Sequence, residues 1–138
     1  MKTSKAGEGM EADSAQMVLA ERIAKDVVEC DPSILSLIVL DSLGRVLAVG
    51  RSSRLAESEQ VSRELIPMFG TIVKVILGAA NNAAQAMGGT EHIIGVFKRQ
   101  KVLLINLPEY NLSLGLRLAR SANAEYVYNK IKEILGSS

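Results

Sequence analysis

Apolar residues fall along this chain in two rhythms, and the switches between them mark out the elements. Leu19, Ala20, Ile23, Ala24, Val27 and Val28 recur at helical spacing, while Glu21, Arg22, Lys25, Asp26 and Glu29 take the opposite face. Asp13 stands as the N-cap of this amphipathic helix, with Gln16 in the capping-box position. Asp31-Pro32 stops it, because the residue before a proline is pushed out of the helical region. Ile34 to Leu40 is an apolar, β-branched run, the mark of a strand covered on both faces. Asp41-Ser42-Leu43-Gly44 reads as a turn, since Asp bonds its own downstream backbone and Gly accepts positive φ. Arg45 to Gly50 then returns as the second strand of a hairpin.

A polar loop, Arg51 to Glu57, leads to a second helix. Ser58 caps it, Glu59 suits its first turn, and it runs to about Met87 before Gly88-Gly89 ends it. Pro67 inside it predicts a kink or a break. Its second half is crowded with small residues: Gly78, Ala79, Ala80, Ala83, Ala84 and Ala86. Three strands follow, over His92–Lys98, Val102–Leu107 and Leu112–Leu118, with turns at Arg99-Gln100 and Pro108-Glu109-Tyr110-Asn111. Ser121 caps a last helix, whose stripe is Val127, Tyr128, Ile131, Ile134 and Leu135. The order α-β-β-α-β-β-β-α predicts an α+β fold, a single five-stranded antiparallel sheet with helices packed on it. It forms one domain over residues 13–135, between an N-terminal tail (1–12) expected to be disordered and a C-terminal tail (136–138).

Composition narrows the function. The chain has 138 residues, 48% of them hydrophobic and 22% charged, so it has the means for a real core. Sixteen basic against 15 acidic side chains, a net +1, give no general field for nucleic acid or an anionic membrane. Aromatics are 4% and Trp is absent, which speaks against base-stacking platforms. One cysteine, Cys30, and one histidine, His92, supply neither a disulfide nor a four-ligand zinc site, and point to a reducing, cytoplasmic setting. No apolar stretch follows Lys2 and Lys5, as a signal peptide requires. The most apolar region, Leu65 to Ala80, is interrupted by Pro67, Gly70, Lys74 and Gly78, and is expected to be a buried helix rather than a membrane span.

Candidate chemistry is sparse. The glycine pairs Gly44/Gly50 and Gly88/Gly89 match neither phosphate-loop nor dinucleotide spacing. His92 beside Glu91 is the one pair that resembles a general-base site, but a polar start to a strand explains it as well. Cys30 lies at a helix C-terminus, which disfavours a thiolate. Asp41 is read as turn chemistry, and Glu57 has no partner in sequence. Lys98, Arg99 and Lys101 form a small basic hairpin tip, to which Arg117 and Arg120 add if their faces allow; Met68, Phe69 and Met87 are read as core. The expectation is therefore a protein that is not an enzyme and carries no cofactor or metal. Two features ask for a partner: the small-residue half of the second helix, and the apolar strand His92 to Phe97, which would invite another strand if left bare at an edge.

In element order and local pattern the chain resembles the roadblock family, the dynein-light-chain type within the longin-like and profilin-like folds. Ile38 to Ala48, with its Asp and Gly in the turn, resembles that family's first hairpin. The helix ending at Gly88-Gly89 resembles its central helix. Glu91–Phe97, Val102–Leu107 and Leu112–Leu116 resemble its remaining strands. The resemblance implies a non-enzymatic homodimer, paired through the central helices and the following strand, that binds a Ras-like small GTPase as scaffold or regulator. Carried over by position, it implies dimer contacts at Gly78, Ala79, Ala83, Ala86, Ile94, Val96 and Phe97. It implies GTPase contacts at Glu64, Thr71, Lys74, Asn81, Asn82 and Gln85. Neither nucleic acid nor membrane insertion is expected. The alternative is a profilin-like small-ligand sensor, with a cavity between sheet and helix.

Overall fold

The β-branched run Ile34–Leu40 (β1) and the strand Val46–Arg51 (β2) pair antiparallel, with a register shift between Val39 and Leu40. The structure, a computed structural model, describes residues 2–53 and 65–136, with side chains from Ser14 onward. His92–Val96 (β3), Gln100–Leu107 (β4) and Leu112–Ala119 (β5) complete a five-stranded antiparallel sheet in the order β2-β1-β5-β4-β3. The chain thus has the α+β architecture that the order of elements predicts. Strands β2 and β3 are its two edges.

Helices cover both faces. Lys2–Glu29 (α1) and Ala124–Gly136 (α3) lie on one face, and Leu65–Ala83 (α2) on the other. The first face holds the larger core: Ala20, Ile23, Ala24 and Val27 of α1 and Val127, Tyr128 and Ile131 of α3 meet Leu37, Val39, Leu103, Ile105, Leu114 and Leu116. The second is small, with Val73 and Leu77 of α2 on Ile38, Leu40 and Leu104. Two glycines let α2 come close to it. A methyl group on Gly115 would lie 2.9 Å from Val73 Cγ2, and one on Gly70 would lie 3.0 Å from Leu40 Cδ2 and Val46 Cγ2.

Several boundaries differ from the sequence reading. Helix α1 runs back to Lys2, so Asp13 lies inside it rather than at its N-cap, and the stretch read as a tail is helical from Lys2. Ser58 and Glu59 lie outside the described residues. Pro67 falls in the first described turn of α2, and no break follows it among the described residues. α2 ends at Ala83, and a short 3-10 turn, Gln85–Met87, carries the chain to Gly88 and Gly89, both at positive φ. Asn123, not Ser121, caps α3: its Oδ1 accepts the Tyr126 N–H at 3.1 Å. Ser121 is taken up by the turn in which Ala122 N–H reaches the Ala119 carbonyl.

The hairpin turn between β1 and β2 is built as its sequence predicts. Asp41 is buried; its Oδ1 accepts the main-chain N–H groups of Leu43 and Arg45, each at 2.9 Å, and Oδ2 accepts Arg45 Nε at 2.6 Å. Burial pushes its carboxyl up, but the Arg45 and Leu43 donors outweigh burial and hold it below the ordinary carboxylate range. A carboxyl lowered in the folded state adds stability that is present above its unfolded value, near pH 4, and is lost as pH falls through the folded value. Asp41→Asn is therefore expected to cost about 2 kcal/mol at neutral pH. It should also shrink the loss of stability below about pH 4. Urea unfolding of both chains at several pH values checks this.

Candidate interaction surface

α2 carries more apolar side chain than the sheet can take. With about 100° between successive residues, Gly70, Val73 and Leu77 form the one buried stripe. Clockwise and anticlockwise of it, the two flanks differ in kind. Leu65, Met68, Ile72, Val75, Ile76, Ala79 and Ala83 gather on one flank, all exposed; Val75 is 63% and Met68 58% accessible. Thr71, Lys74, Gly78 and Asn81 gather on the other. The expectation of a buried helix is thus corrected. By length and composition α2 would pass for a membrane span, and only 17% of that apolar window is buried.

The apolar flank leans toward the edge strand β3. Leu65, Met68, Phe69 and Ile72 line a groove of about 610 Å³ together with Phe97, Val102 and the basic turn Lys98-Arg99. Phe97 is 59% exposed, as is Val96. The Phe97 ring folds back over Gly95, Cε2 lying 3.2 Å from where a Cβ would stand. Among the described residues, no strand lies beyond β3. Glu91 O accepts the Asn106 N–H and Phe97 N–H reaches Gln100 O, so the odd-numbered residues bond β4. By alternation, His92, Ile94 and Val96 turn their main-chain groups to the open side.

The sequence candidates sort onto these surfaces unequally. Ala79 and Ala83 lie on the apolar flank, Ile94, Val96 and Phe97 on or beside the edge strand, and Ala86 in the 3-10 turn beyond α2. Gly78 falls on the polar flank, facing open space. Of the GTPase candidates, Thr71, Lys74 and Asn81 share the polar flank, with Asn82 at its border, Gln85 lies in the 3-10 turn beyond α2, and Glu64 lies outside the described residues. Thr71 donates its hydroxyl to the Pro67 carbonyl at 3.1 Å, and Asn81 Oδ1 accepts the Thr90 N–H at 3.1 Å. Sequence reasoning misses the large side chains Leu65, Met68, Ile72, Val75 and Ile76. The signal for them is an apolar band too wide for one stripe.

The other candidates are absorbed locally. His92 does not meet Glu91: its ring stacks on Tyr128 with centroids 3.7 Å apart, Nε2 lies 3.4 Å from Glu125, and buried Nδ1 has no partner. Such a ring is packing, poorly placed to relay protons to a substrate. Burial, then the Asp31 charge, pushes the Cys30 thiol up, away from a thiolate. Lys101 Nζ donates to the Ala122 carbonyl at 2.6 Å, and Arg117 bonds Gln100 and Ser36, which leaves Lys98 and Arg99 as the basic tip. Glu57 lies outside the described residues. A second cavity, about 710 Å³, opens between β4 and α3, lined by Ile105, Leu107, Tyr128, Ile131, Thr90 and Glu91 among others. Among the described residues no cluster of His, Cys, Asp and Glu is arranged to hold a metal.

No protein-family model matches the sequence, and no curated protein matches it. Solved structures do match the fold. A roadblock/LC7 domain from Streptomyces avermitilis superposes with a TM-score of 0.67 at 12% identity, over 85% of this chain and 92% of that one. An MglB structure with a tetrameric arrangement gives 0.66 at 14% identity, over 89% of each chain. The gliding protein MglB from Thermus thermophilus gives 0.62 at 12% identity, over 91% and 93%. The fold is of the roadblock type, as the sequence resemblance implied.

The polar flank separates structural from free side chains. Asn81→Ala, which removes the Thr90 acceptor, is expected to lower stability by about 1 kcal/mol. Asn82→Ala and Gln85→Ala are expected to stay within about 0.5 kcal/mol of the unsubstituted chain. Urea titrations of the three variants measure this.

Proposed function

We propose that this protein is a non-enzymatic, homodimeric interaction module that binds a Ras-like small GTPase as scaffold or regulator in the cytoplasm. The observation that carries the reading is the exposed apolar flank of α2 lying beside the open edge of β3, on a roadblock-type fold. An apolar band of this kind on a water-facing helix marks a surface meant to be covered. A second copy covers it economically, because a two-fold axis brings the same flank and the same edge to both sides. The MglB structure among the fold neighbours has a tetrameric arrangement, so self-association accompanies this fold in at least that protein.

Pairing through the apolar flanks leaves both polar flanks outward. Thr71, Lys74, Asn81, Asn82 and Gln85 then form the face offered to the GTPase. Lys74 is the one charged group among these five, with its stem against Gly44 of the hairpin turn. Long-range steering by a chain of net charge +1 is weak, so recognition rests on shape and short-range bonds. A second reading, the small-ligand sensor, is favoured by one observation: the 710 Å³ cavity between β4 and α3, where Thr90 Oγ1 is buried without a partner.

The test of GTPase binding is a pulldown from cell extract with immobilised protein, in the presence of GTP analogue or GDP. Nucleotide-dependent retention of a small GTPase is expected, with Lys74→Glu lowering it about tenfold and Gln85→Ala lowering it less. Equal retention by the unsubstituted and Lys74→Glu chains, or no GTPase with either nucleotide, contradicts the assignment of this face.

A further inference from the structure

Resting on the small-ligand reading above and deepening it, the geometry points to a binding site for a small apolar amine in the cavity between β4 and α3. Its volume, about 710 Å³, is that of a pocket for a small molecule. Ile105, Leu107, Tyr128 and Ile131 of its wall belong to the core on the α1–α3 face of the sheet. The site is therefore separate from the apolar flank of α2, and needs neither a second copy nor a GTPase.

The wall divides by chemistry. Ile105 and Leu107 of β4, with Ile131 and Leu135 of α3, supply apolar side chain for the body of a ligand. Tyr110 and Tyr128 add two rings whose hydroxyls are already donated, to the Leu135 carbonyl at 3.3 Å and to Glu91 Oε2 at 3.4 Å. Thr90 differs. Its main chain is fixed, N–H to Asn81 Oδ1 at 3.1 Å, but its Oγ1 is buried with no hydrogen-bond partner among the described residues. Buried hydroxyls are nearly always bonded, because an orphan costs free energy. Thr90 lines the cavity, so the polar head of a bound molecule can supply that partner.

Charge selects the head group. Three charged residues line the cavity, the carboxylates Glu91 and Glu109 and the ammonium of Lys132, all exposed. The ammonium is engaged: Lys132 Nζ lies over the Tyr128 ring, 5.6 Å from its centroid. A cationic head thus meets two carboxylates, and as an ammonium it can also donate to Thr90 Oγ1. A carboxylate head would meet two like charges, with one lysine already placed over a ring. An ammonium on an apolar body satisfies both the wall and the mouth.

Amide NMR of the full chain near neutral pH, titrated with hexylamine, hexanol and hexanoate, tests this, because the three probes share one apolar body. Shifts are expected at Thr90, Glu91, Ile105 and Ile131. Hexylamine is expected to bind about fivefold tighter than hexanol, and hexanoate weakest of the three. Thr90→Val keeps the side-chain shape and removes the hydroxyl; it is expected to weaken hexylamine about threefold. Glu91→Gln with Glu109→Gln is expected to bring hexylamine to the level of hexanol. Equal binding of the three probes at these residues, or a preference for hexanoate, overturns the amine assignment and leaves the small-ligand reading standing. Unchanged hexylamine binding by the Thr90→Val chain overturns the Thr90 contact. Shifts confined to Met68 and Ile72 on the α2 flank, or none with any probe, remove the site and the small-ligand reading together.

Discussion

The structure turns on how little of α2 the sheet can cover. Its seat is narrow: Val73 and Leu77 meet Ile38, Leu40 and Leu104, and the helix comes that close only because Gly70 and Gly115 present no side chain. The opposite face of the sheet has two helices, α1 and α3, and buries the larger core. A helix seated so narrowly keeps its flanks in water. On α2 one of those flanks is apolar from Leu65 to Ala83. Burying a side chain such as Ile or Leu is worth roughly 1.5–3 kcal/mol, so the unburied flank is a large reserve of binding free energy. The flank stands next to a bare strand edge, and bare edges draw strands. Both reserves on one side of the molecule are the physical basis for proposing a second copy there.

The bonds that fix the fold and the surface left uncovered lie in different places. The β1–β2 turn is locked by Asp41, the end of α1 is fixed by Asp31, whose carboxylate takes the Ser33 N–H and hydroxyl and lies 3.3 Å from Lys130 Nζ, and Tyr110 reaches the Leu135 carbonyl. These bonds hold turns and the α1–α3 side in place. They leave α2 and β3 as the elements with surface to spare. His92 joins the two regions, its ring in the α3 packing and its main chain on the open edge.

The strands and turns were legible in the sequence because their causes are local. Ile34–Leu40 is β-branched and apolar, Asp41 to Gly44 can make only a turn, and Pro108 to Asn111 closes β4 onto β5 with Asn111 at positive φ. The cap of α3 was misplaced by two residues because Ser121 and Asn123 are both competent caps, and the Ala119–Ala122 turn decides between them. The start of α1 was misplaced because nothing after Lys2 forbids a helix. The apolar flank of α2 was misread for a deeper reason. Sequence states that Met68, Ile72 and Val75 are apolar, but not whether a sheet or a second molecule covers them. The small residues drew attention to Gly78, which the helix turns away from the apolar flank. For the same reason the ring of His92 could be placed at the start of a strand but not against Glu125 and Tyr128, which arrive from a helix thirty-odd positions later.

If α2 and β3 form a surface completed by a second copy, the solution mass must show it. The most direct measurement is light scattering after gel filtration at low micromolar concentration. A mass of twice 14.8 kDa is expected, with a shift toward the monomer when Ile72→Glu places a charge in the apolar flank. A mass of 14.8 kDa for the unsubstituted chain would contradict the shared surface and turn attention to the cavity between β4 and α3.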